Sequence, residues 1–206
     1  MSYMDEREEN IVEAAIRVFS RYGVKRTTMN DIAGEAGIVR QTLYNVYRNK
    51  DDVLRAVIQW HVEDSLTAIE RESAGAAGLG DKLDILFEHM IIKPFEQLNA
   101  SPHADDIISG INEAAREEIR GASESYRRAI EGFLAPFREQ IVEAGMTPAQ
   151  LADLIQTSAA AFKHEAGSRK RLLELLSSLK ALVLSVTHGG VRRPEAFPAD
   201  AEARTL

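Results

Sequence analysis

The segment GIVRQTLYNVYRNK, residues 37–50, gathers side chains that can contact nucleic acid. It holds two tyrosines and three cations in an otherwise acidic chain. A glutamine amide can pair with adenine, an arginine with guanine, and a tyrosine hydroxyl or a lysine with phosphate. Such a set is useful only on an element that fits a DNA groove. The candidate DNA contacts are Thr28, Arg40, Gln41, Thr42, Tyr44, Asn45, Arg48 and Lys50.

The charge of the chain is unevenly distributed. The net charge is −7 at pH 7, yet the stretch from Arg17 to Lys50 holds seven cations and two acids. Salt screens charges beyond about 10 Å, so a phosphate responds to the local basic segment rather than to the acidic remainder. A single cation here is as consistent with a solvated surface as with a contact. The joint pattern carries the prediction.

Helical periodicity and capping residues divide this region into short helices. A first helix is predicted over residues 5–22, and Thr28 with Asp31 has the spacing of a capping box at the start of a second. Gly37 ends the second helix, and Asn49 is a predicted N-cap for a fourth. Three helices with a tight glycine turn before the third predict a helix-turn-helix, whose third helix enters the major groove.

The stretch from Ile11 to Val57, IVEAAIRVFSRYGVKRTTMNDIAGEAGIVRQTLYNVYRNKDDVLRAV, resembles the DNA-binding region of the TetR family of bacterial transcriptional regulators. The resemblance implies an all-α homodimer, in which each subunit has a three-helix DNA-binding head and a larger helical C-terminal domain for effector binding and dimerisation. We therefore expect a DNA-binding domain over residues 1–50, an effector-binding and dimerisation domain over 51–188, and a flexible tail over 189–206.

Three positions depart from the pattern of that family. Val39 stands where a serine often caps the recognition helix, and a missing cap costs about 1 kcal/mol. Gln41 replaces a common glycine and adds base-reading capacity. Val46 replaces a common aromatic residue and removes one phosphate contact. These differences bear on the operator sequence rather than on DNA binding itself.

The residues past position 50 predict amphipathic helices around an apolar core. Pro94 lies inside a helix predicted over residues 81–98 and should kink it, which either opens space for a cavity or is a simple bend. The apolar character of the side chains nearby favours an apolar or aromatic effector. The candidate effector contacts are Trp60, His61, Phe87, Met90, Phe95, Phe133 and Phe137.

Two helices with apolar faces follow Thr147 and Ser168 near the end of the chain. As the resemblance implies, they fit a four-helix dimer interface with two helices from each subunit; alternatively, they close the core of the monomer. The candidate interface residues are Leu151, Leu154, Ser158, Phe162, Leu172, Leu176, Leu179 and Val183.

Several classes of function lack support in the sequence. The chain has no cysteine, which excludes disulfides and thiolate metal sites. No phosphate-binding loop, dinucleotide fingerprint, nucleophile elbow or zinc motif occurs, so we expect neither an enzyme nor a cofactor or metal site. The polar N-terminus and the lack of a long apolar run lead us to expect a cytoplasmic protein without a membrane partner.

The sequence thus predicts a ligand-responsive DNA-binding regulator. The primary hypothesis is a homodimeric repressor that a small effector releases from a pseudo-palindromic operator. One alternative is a helix-turn-helix protein that lacks a small-molecule pocket and is controlled by a protein partner. Another is an activator, which no residue distinguishes from a repressor. The effector, the operator sequence and the regulated genes have no signal in the sequence.

Overall fold

The computed structural model describes residues 4–104, 106–107 and 115–189, and the regular structure in these ranges is helical. The all-α prediction is confirmed. No helix within these ranges has the length and apolar character needed to cross a membrane. The predicted tail falls outside the described residues except for Gly189. The helices are α1 Glu6–Tyr22, α2 Met29–Glu35, α3 Arg40–Val46, α4 Lys50–Ser73, α5 Leu79–Phe87, α6 Lys93–Ala100, α7 Arg116–Leu134, α8 Arg138–Glu143, α9 Pro148–Glu165 and α10 Arg169–Thr187.

Side-chain caps set most of the helix starts that the sequence predicts. Thr28 and Asp31 form the predicted capping box of α2, and Asn49 accepts a hydrogen bond from the Asp52 backbone at the start of α4. Thr147 caps α9 in the same way. Gly23 ends α1 at a φ of 81°, a conformation that glycine adopts without steric cost.

A first apolar core holds α1, α2 and α3 together with the start of α4. Ile11, Ile32 and Leu43 are fully buried in it, and Val53 and Leu54 of α4 complete it. The helix-turn-helix head therefore extends beyond residue 50, where the domain boundary was predicted. The reason is physical: α1 and the two short helices α2 and α3 leave one side of their core open, and the first two turns of α4 cover it.

A second apolar core joins the remaining helices into the body of the protein. Its fully buried side chains come from α5, the region around the α5–α6 junction, α7, α8 and α9, with α10 closing one side. The largest of these are Leu83, Leu86, Ile91, Ile130, Leu134, Ile141 and Leu151. Helix α4 touches both cores, since its C-terminal half contributes Ile69 to the body.

The interruption predicted near Pro94 lies one turn before it. Residues Glu88–Ile92 form a π-helical turn between α5 and α6, and Pro94 sits in the first turn of α6. Proline has no N–H to donate to the carbonyl four residues earlier, and a wider turn accommodates this loss. His89 on this turn is buried, and its Nε2 lies 2.9 Å from a Glu72 carboxylate oxygen at the end of α4.

The segment after α6 returns to the head. The Ser101 hydroxyl donates to the Ser20 carbonyl at 3.0 Å, and the Lys25 backbone N–H donates to the Asp106 carboxylate at 2.9 Å. Ile107 packs against the head core. Among the described residues, head and body thus meet through the continuous helix α4, through the contacts of Ser101 and Asp106 with the end of α1 and the turn after it, and through an ion pair between Arg55 and Glu118.

Candidate nucleic-acid interface

Helix α3 is fixed to the head by its apolar side and leaves its polar side open. Leu43 is fully buried, and Tyr47 at the C-cap is half-buried, which raises the pKa of its phenol to about 12. Gln41, Tyr44 and Asn45 are exposed, while Thr42 is half-buried. The inward and outward sides agree with the sequence prediction. The exposed set, which we call the reading face, consists of Arg40, Gln41, Tyr44 and Asn45.

Residues of the reading face pair with each other along the helix. The Gln41 amide donates to the Asn45 side-chain oxygen at 3.0 Å, and the Arg40 guanidinium donates to the Tyr44 hydroxyl at 3.1 Å. That guanidinium also lies 5.1 Å from the centre of the Tyr44 ring. Pairs four residues apart hold long side chains in defined rotamers, which lowers the entropy lost when they contact DNA.

The N-terminus of α3 has no side-chain cap, as predicted. Val39 occupies the N-cap position with an extended backbone, and its side chain has no acceptor for the first turn, although its carbonyl oxygen accepts from the Thr42 backbone at 2.9 Å. Its side chain is 70% exposed, an unusual place for a valine. The first turn of α3 therefore keeps unsatisfied N–H groups that water or DNA phosphate must satisfy.

The Lys50 side chain, a predicted phosphate contact, is bound to backbone carbonyls of the head. Its ammonium donates to the backbone carbonyls of Val24, Thr27 and Lys25 at 2.6, 3.0 and 3.3 Å. An ammonium has three donors, so this set leaves none for phosphate. The prediction of Lys50 as a phosphate contact is wrong for this conformation. Its side chain instead ties the start of α4 to the loop between α1 and α2.

The Thr28 hydroxyl also forms hydrogen bonds within the head. Its hydroxyl donates to the Asp31 carboxylate at 2.7 Å and accepts from the Asp31 backbone at 3.3 Å. The hydrogen bonds from Thr28 lower the pKa of Asp31. Thr28 remains exposed, so a phosphate contact by this residue stays a prediction, but the first role of its hydroxyl is to begin α2.

The cations of the basic segment divide into paired and unpaired groups. Arg17 and Arg21 lie 2.8 and 3.4 Å from Glu35, and these contacts lower the pKa of that carboxyl. By contrast, the exposed side chains of Arg26 and Arg48 make no hydrogen bond or ion pair within the described ranges. Arg26 was not among the predicted contacts. Its position two residues before the N-cap of α2 could have indicated a phosphate contact in the sequence, because helix N-termini attract phosphate.

The predicted effector contacts divide between the core and its edge. Phe87, Met90 and Phe95 are buried in the body core, while Phe133 and Phe137 are half-buried against it. Trp60 and His61 are half-buried on α4. A surface depression of about 450 Å³ lies elsewhere, between α7 and α9, and is lined mainly by charged side chains such as Arg120, Glu124 and Arg127. The apolar effector site stays a prediction.

The predicted dimer interface needs correction at five positions. Leu151, Leu172, Leu176, Leu179 and Val183 lie in the core of the protomer, because α9 and α10 turn these side chains toward α5, α7 and α8. A second copy cannot contact side chains that its partner already encloses. Of the other three, Leu154 is exposed, and Ser158 and Phe162 are half-buried. Leu182 of α10, which was not predicted, is also exposed.

The described ranges contain no group of three or more histidines and acids that could hold a metal ion.

Comparisons of sequence with known proteins concern the head, and comparisons of structure concern the whole fold. The profile of the family described as bacterial regulatory proteins, tetR family, matches residues 11–57, which are the head and its extension into α4. The probable HTH-type transcriptional regulator ArpR of Pseudomonas putida is 35% identical over 95 residues.

The head of this chain is thus similar to the DNA-binding region of TetR-family regulators. The matched stretch covers 45% of this chain and 43% of ArpR, so the chain matches less than half of that relative's length. The family profile is confined to residues 11–57, so it concerns the DNA-binding head, and the body is compared through its fold.

Solved structures match nearly the whole fold. SmeT, the repressor of the Stenotrophomonas maltophilia multidrug efflux pump SmeDEF, aligns at a TM-score of 0.58 and 22% identity over 92% of each chain. Thermus thermophilus FadR, solved in complex with lauroyl-CoA, aligns at 0.60 and 20% identity over 94% of this chain and 100% of its own. At these identities the likeness extends to the fold alone.

Proposed function

We propose that this chain is a transcriptional regulator of the TetR family that binds DNA in a sequence-specific manner. The observation that carries the proposal is the reading face of α3, whose exposed amides and guanidinium stand on a helix anchored by the buried Leu43. Arg26 and Arg48 are unpaired cations for the flanking phosphates. Arg40 and Gln41 stand in the first turn of α3, and the N-terminal residues of a recognition helix are those that contact base edges in the major groove.

The proposed active form is a symmetric homodimer. Leu154 on α9 and Leu182 on α10 are 44% and 50% exposed, and large apolar side chains on two neighbouring helices are suited to a subunit interface. A two-fold axis through these helices gives two heads, which read two half-sites about 34 Å apart. The operator is then a pseudo-palindrome.

The regulatory part of the proposal is repression relieved by a small effector. Its support is the fold shared with a repressor and with a protein solved with a bound acyl-CoA. An effector that binds better to a DNA-incompetent arrangement of the two heads lowers operator affinity by that difference in affinity. Helix α4 and the contacts of Lys25 with Asp106 are routes by which the body can move the head.

Fluorescence anisotropy with labelled duplex DNA of random sequence tests the proposal. We expect binding whose affinity falls linearly with salt on logarithmic axes, and a shallower slope for Arg26→Ala and Arg48→Ala. Light scattering should give twice the chain mass of 22.8 kDa. The proposal would be contradicted if light scattering gave the mass of a monomer, or if anisotropy showed no DNA binding at about 50 mM salt.

A further inference from the structure

The residue that precedes helix α3 is an exposed valine. Val39 is 70% exposed, more than any other large apolar side chain in the part of the chain that the structure describes. A single exposed apolar residue is common on a protein surface, so exposure alone does not indicate a role. The position of Val39, at the leading end of the reading face, is what makes its exposed methyl groups informative.

The backbone around Val39 determines where its side chain stands. The preceding residue, Ile38, packs against the head core, and its backbone N–H donates to the Ala33 carbonyl at 3.0 Å. Val39 itself is extended, with φ −74° and ψ 148°, and its carbonyl oxygen accepts from the Thr42 backbone at 2.9 Å. Because an extended residue directs its side chain away from that of its neighbour, Val39 faces outward where Ile38 faces inward. Its methyl groups therefore lie directly before Arg40.

Valine at this position does not serve the stability of the helix. A serine, threonine, asparagine or aspartate at the N-cap would accept a hydrogen bond from the first turn, and valine cannot. The other three helices of the head begin with side-chain caps, at Asp5, Thr28 and Asn49. Of the four helices that form the described head, α3 alone begins without one. A residue that forgoes the cap at the helix that reads DNA is a candidate for a role in recognition.

The chemistry of valine restricts what it can contact in a DNA groove. Its methyl groups neither donate nor accept hydrogen bonds, so they cannot pair with a phosphate or with the polar base edges. In the major groove, the 5-methyl group of thymine is the one apolar group that the four bases present. The deoxyribose is also apolar, but it is the same at every position and carries no sequence information.

We propose that Val39 reads a thymine in each half-site, through contact between its methyl groups and the thymine 5-methyl group. This inference rests on the proposed function, because it concerns the same reading face. Gln41 stands two residues further along the chain, at most about 7 Å away along the backbone, and base pairs are spaced by about 3.4 Å. The thymine therefore lies within about two base pairs of the position that Gln41 reads.

Replacement of thymine by deoxyuridine tests the contact, because deoxyuridine lacks only the 5-methyl group and pairs with adenine in the same way. The starting duplex is the site that wild-type protein selects from random DNA, and each thymine in it is replaced in turn. We expect one thymine in each half-site whose replacement weakens wild-type binding about fourfold, the factor that corresponds to one buried methyl group. Val39→Ala removes both γ-methyl groups and should bind the thymine and deoxyuridine duplexes equally. Val39→Ile keeps the apolar surface and should retain the difference.

Val142→Ala is the matched control, since it makes the same change at a 55% exposed valine of α8 in the body. We expect it to retain the wild-type difference between the two duplexes. Because the side chain of Val39 is exposed, Val39→Ala should unfold in urea as cooperatively as wild type, so the comparison is made on folded protein.

The inference is overturned if the selected site contains no thymine, or if wild type binds every deoxyuridine duplex as tightly as the thymine duplex. It is also overturned if Val39→Ala keeps the wild-type difference, which would assign the thymine methyl to another side chain, such as Thr42. In each of these cases a site has been selected and the proposed function stands. If no sequence is selected at all, the proposed function fails, and the role of Val39 fails with it.

Discussion

The Lys50 ammonium donates a hydrogen bond of 2.6 Å to the Val24 carbonyl oxygen. With two further carbonyls of the same loop, it joins the start of α4 to the turn that connects α1 and α2. Asp106 contacts that loop from the body side through the Lys25 backbone. A lysine that resembles a phosphate contact in the sequence thus stabilises the loop that Asp106 contacts from the body.

Removing the Lys50 ammonium should therefore destabilise the head. For Lys50→Met we expect a loss of about 2 kcal/mol in the free energy of unfolding, since hydrogen bonds to a charged group contribute more than neutral ones. The control is Arg48→Met, which removes an exposed guanidinium without a described partner and should weaken DNA binding without changing stability. Urea unfolding measures both. Equal stability of Lys50→Met and wild type would refute the structural role.

A cap introduced at Val39 should stabilise α3. The serine hydroxyl of Val39→Ser can accept a hydrogen bond from the first turn, and the change removes an exposed valine. We expect a gain of about 1 kcal/mol in the free energy of unfolding. Val39→Ala provides the comparison, because it shortens the side chain without adding an acceptor. If serine and alanine shift the urea midpoint equally, the open N-terminus of α3 does not limit stability.

Gln41 should determine the preferred base at one position of each half-site. A bidentate contact between its amide and adenine contributes about 1–3 kcal/mol of discrimination, so Gln41→Ala should lose the preference there and keep it elsewhere. Asn45→Ala is the companion variant, since it removes only the partner that orients the Gln41 amide. Competition among duplexes with single substitutions gives the measurement. An unchanged preference profile for Gln41→Ala would exclude base reading by this residue.

His61 should make stability sensitive to mild acid. Its folded-state pKa lies below the ordinary value of 6.5, so the unfolded chain binds the proton more readily. Its contribution is complete above pH 6.5 and is lost as the pH falls toward the folded-state value. His61→Gln should flatten the pH dependence of the unfolding free energy between about pH 7.5 and 5, above the range in which carboxylates titrate. His164, whose pKa burial also lowers, accounts for the remaining slope. An unchanged slope would contradict a buried neutral His61.

The sequence was sufficient for the parts of the fold that depend on local interactions. Caps such as Thr28, Asn49 and Thr147 form hydrogen bonds within one turn, and their spacing predicted the helix starts. The buried side of α3 followed from Leu43 in the same way. These signals need only residues three or four apart, which a single sequence displays directly.

The errors concern residues whose partners lie far along the chain. Lys50 was assigned to phosphate because the carbonyls that it contacts, such as that of Val24, are 26 residues away. Leu172 and Val183 were assigned to a dimer interface because an apolar helical face does not reveal whether it covers its own core or a second copy.

Selection of binding sites from random duplex DNA tests the central claim most directly. The account predicts an inverted repeat whose half-sites are read by the two α3 helices of a dimer, and whose sequence preference changes in Gln41→Ala. Protein shown by mass spectrometry to carry no bound small molecule should be used, so that an effector cannot hold the heads apart. If such protein enriches no sequence, the reading face of α3 does not read DNA, and the proposed regulator is contradicted.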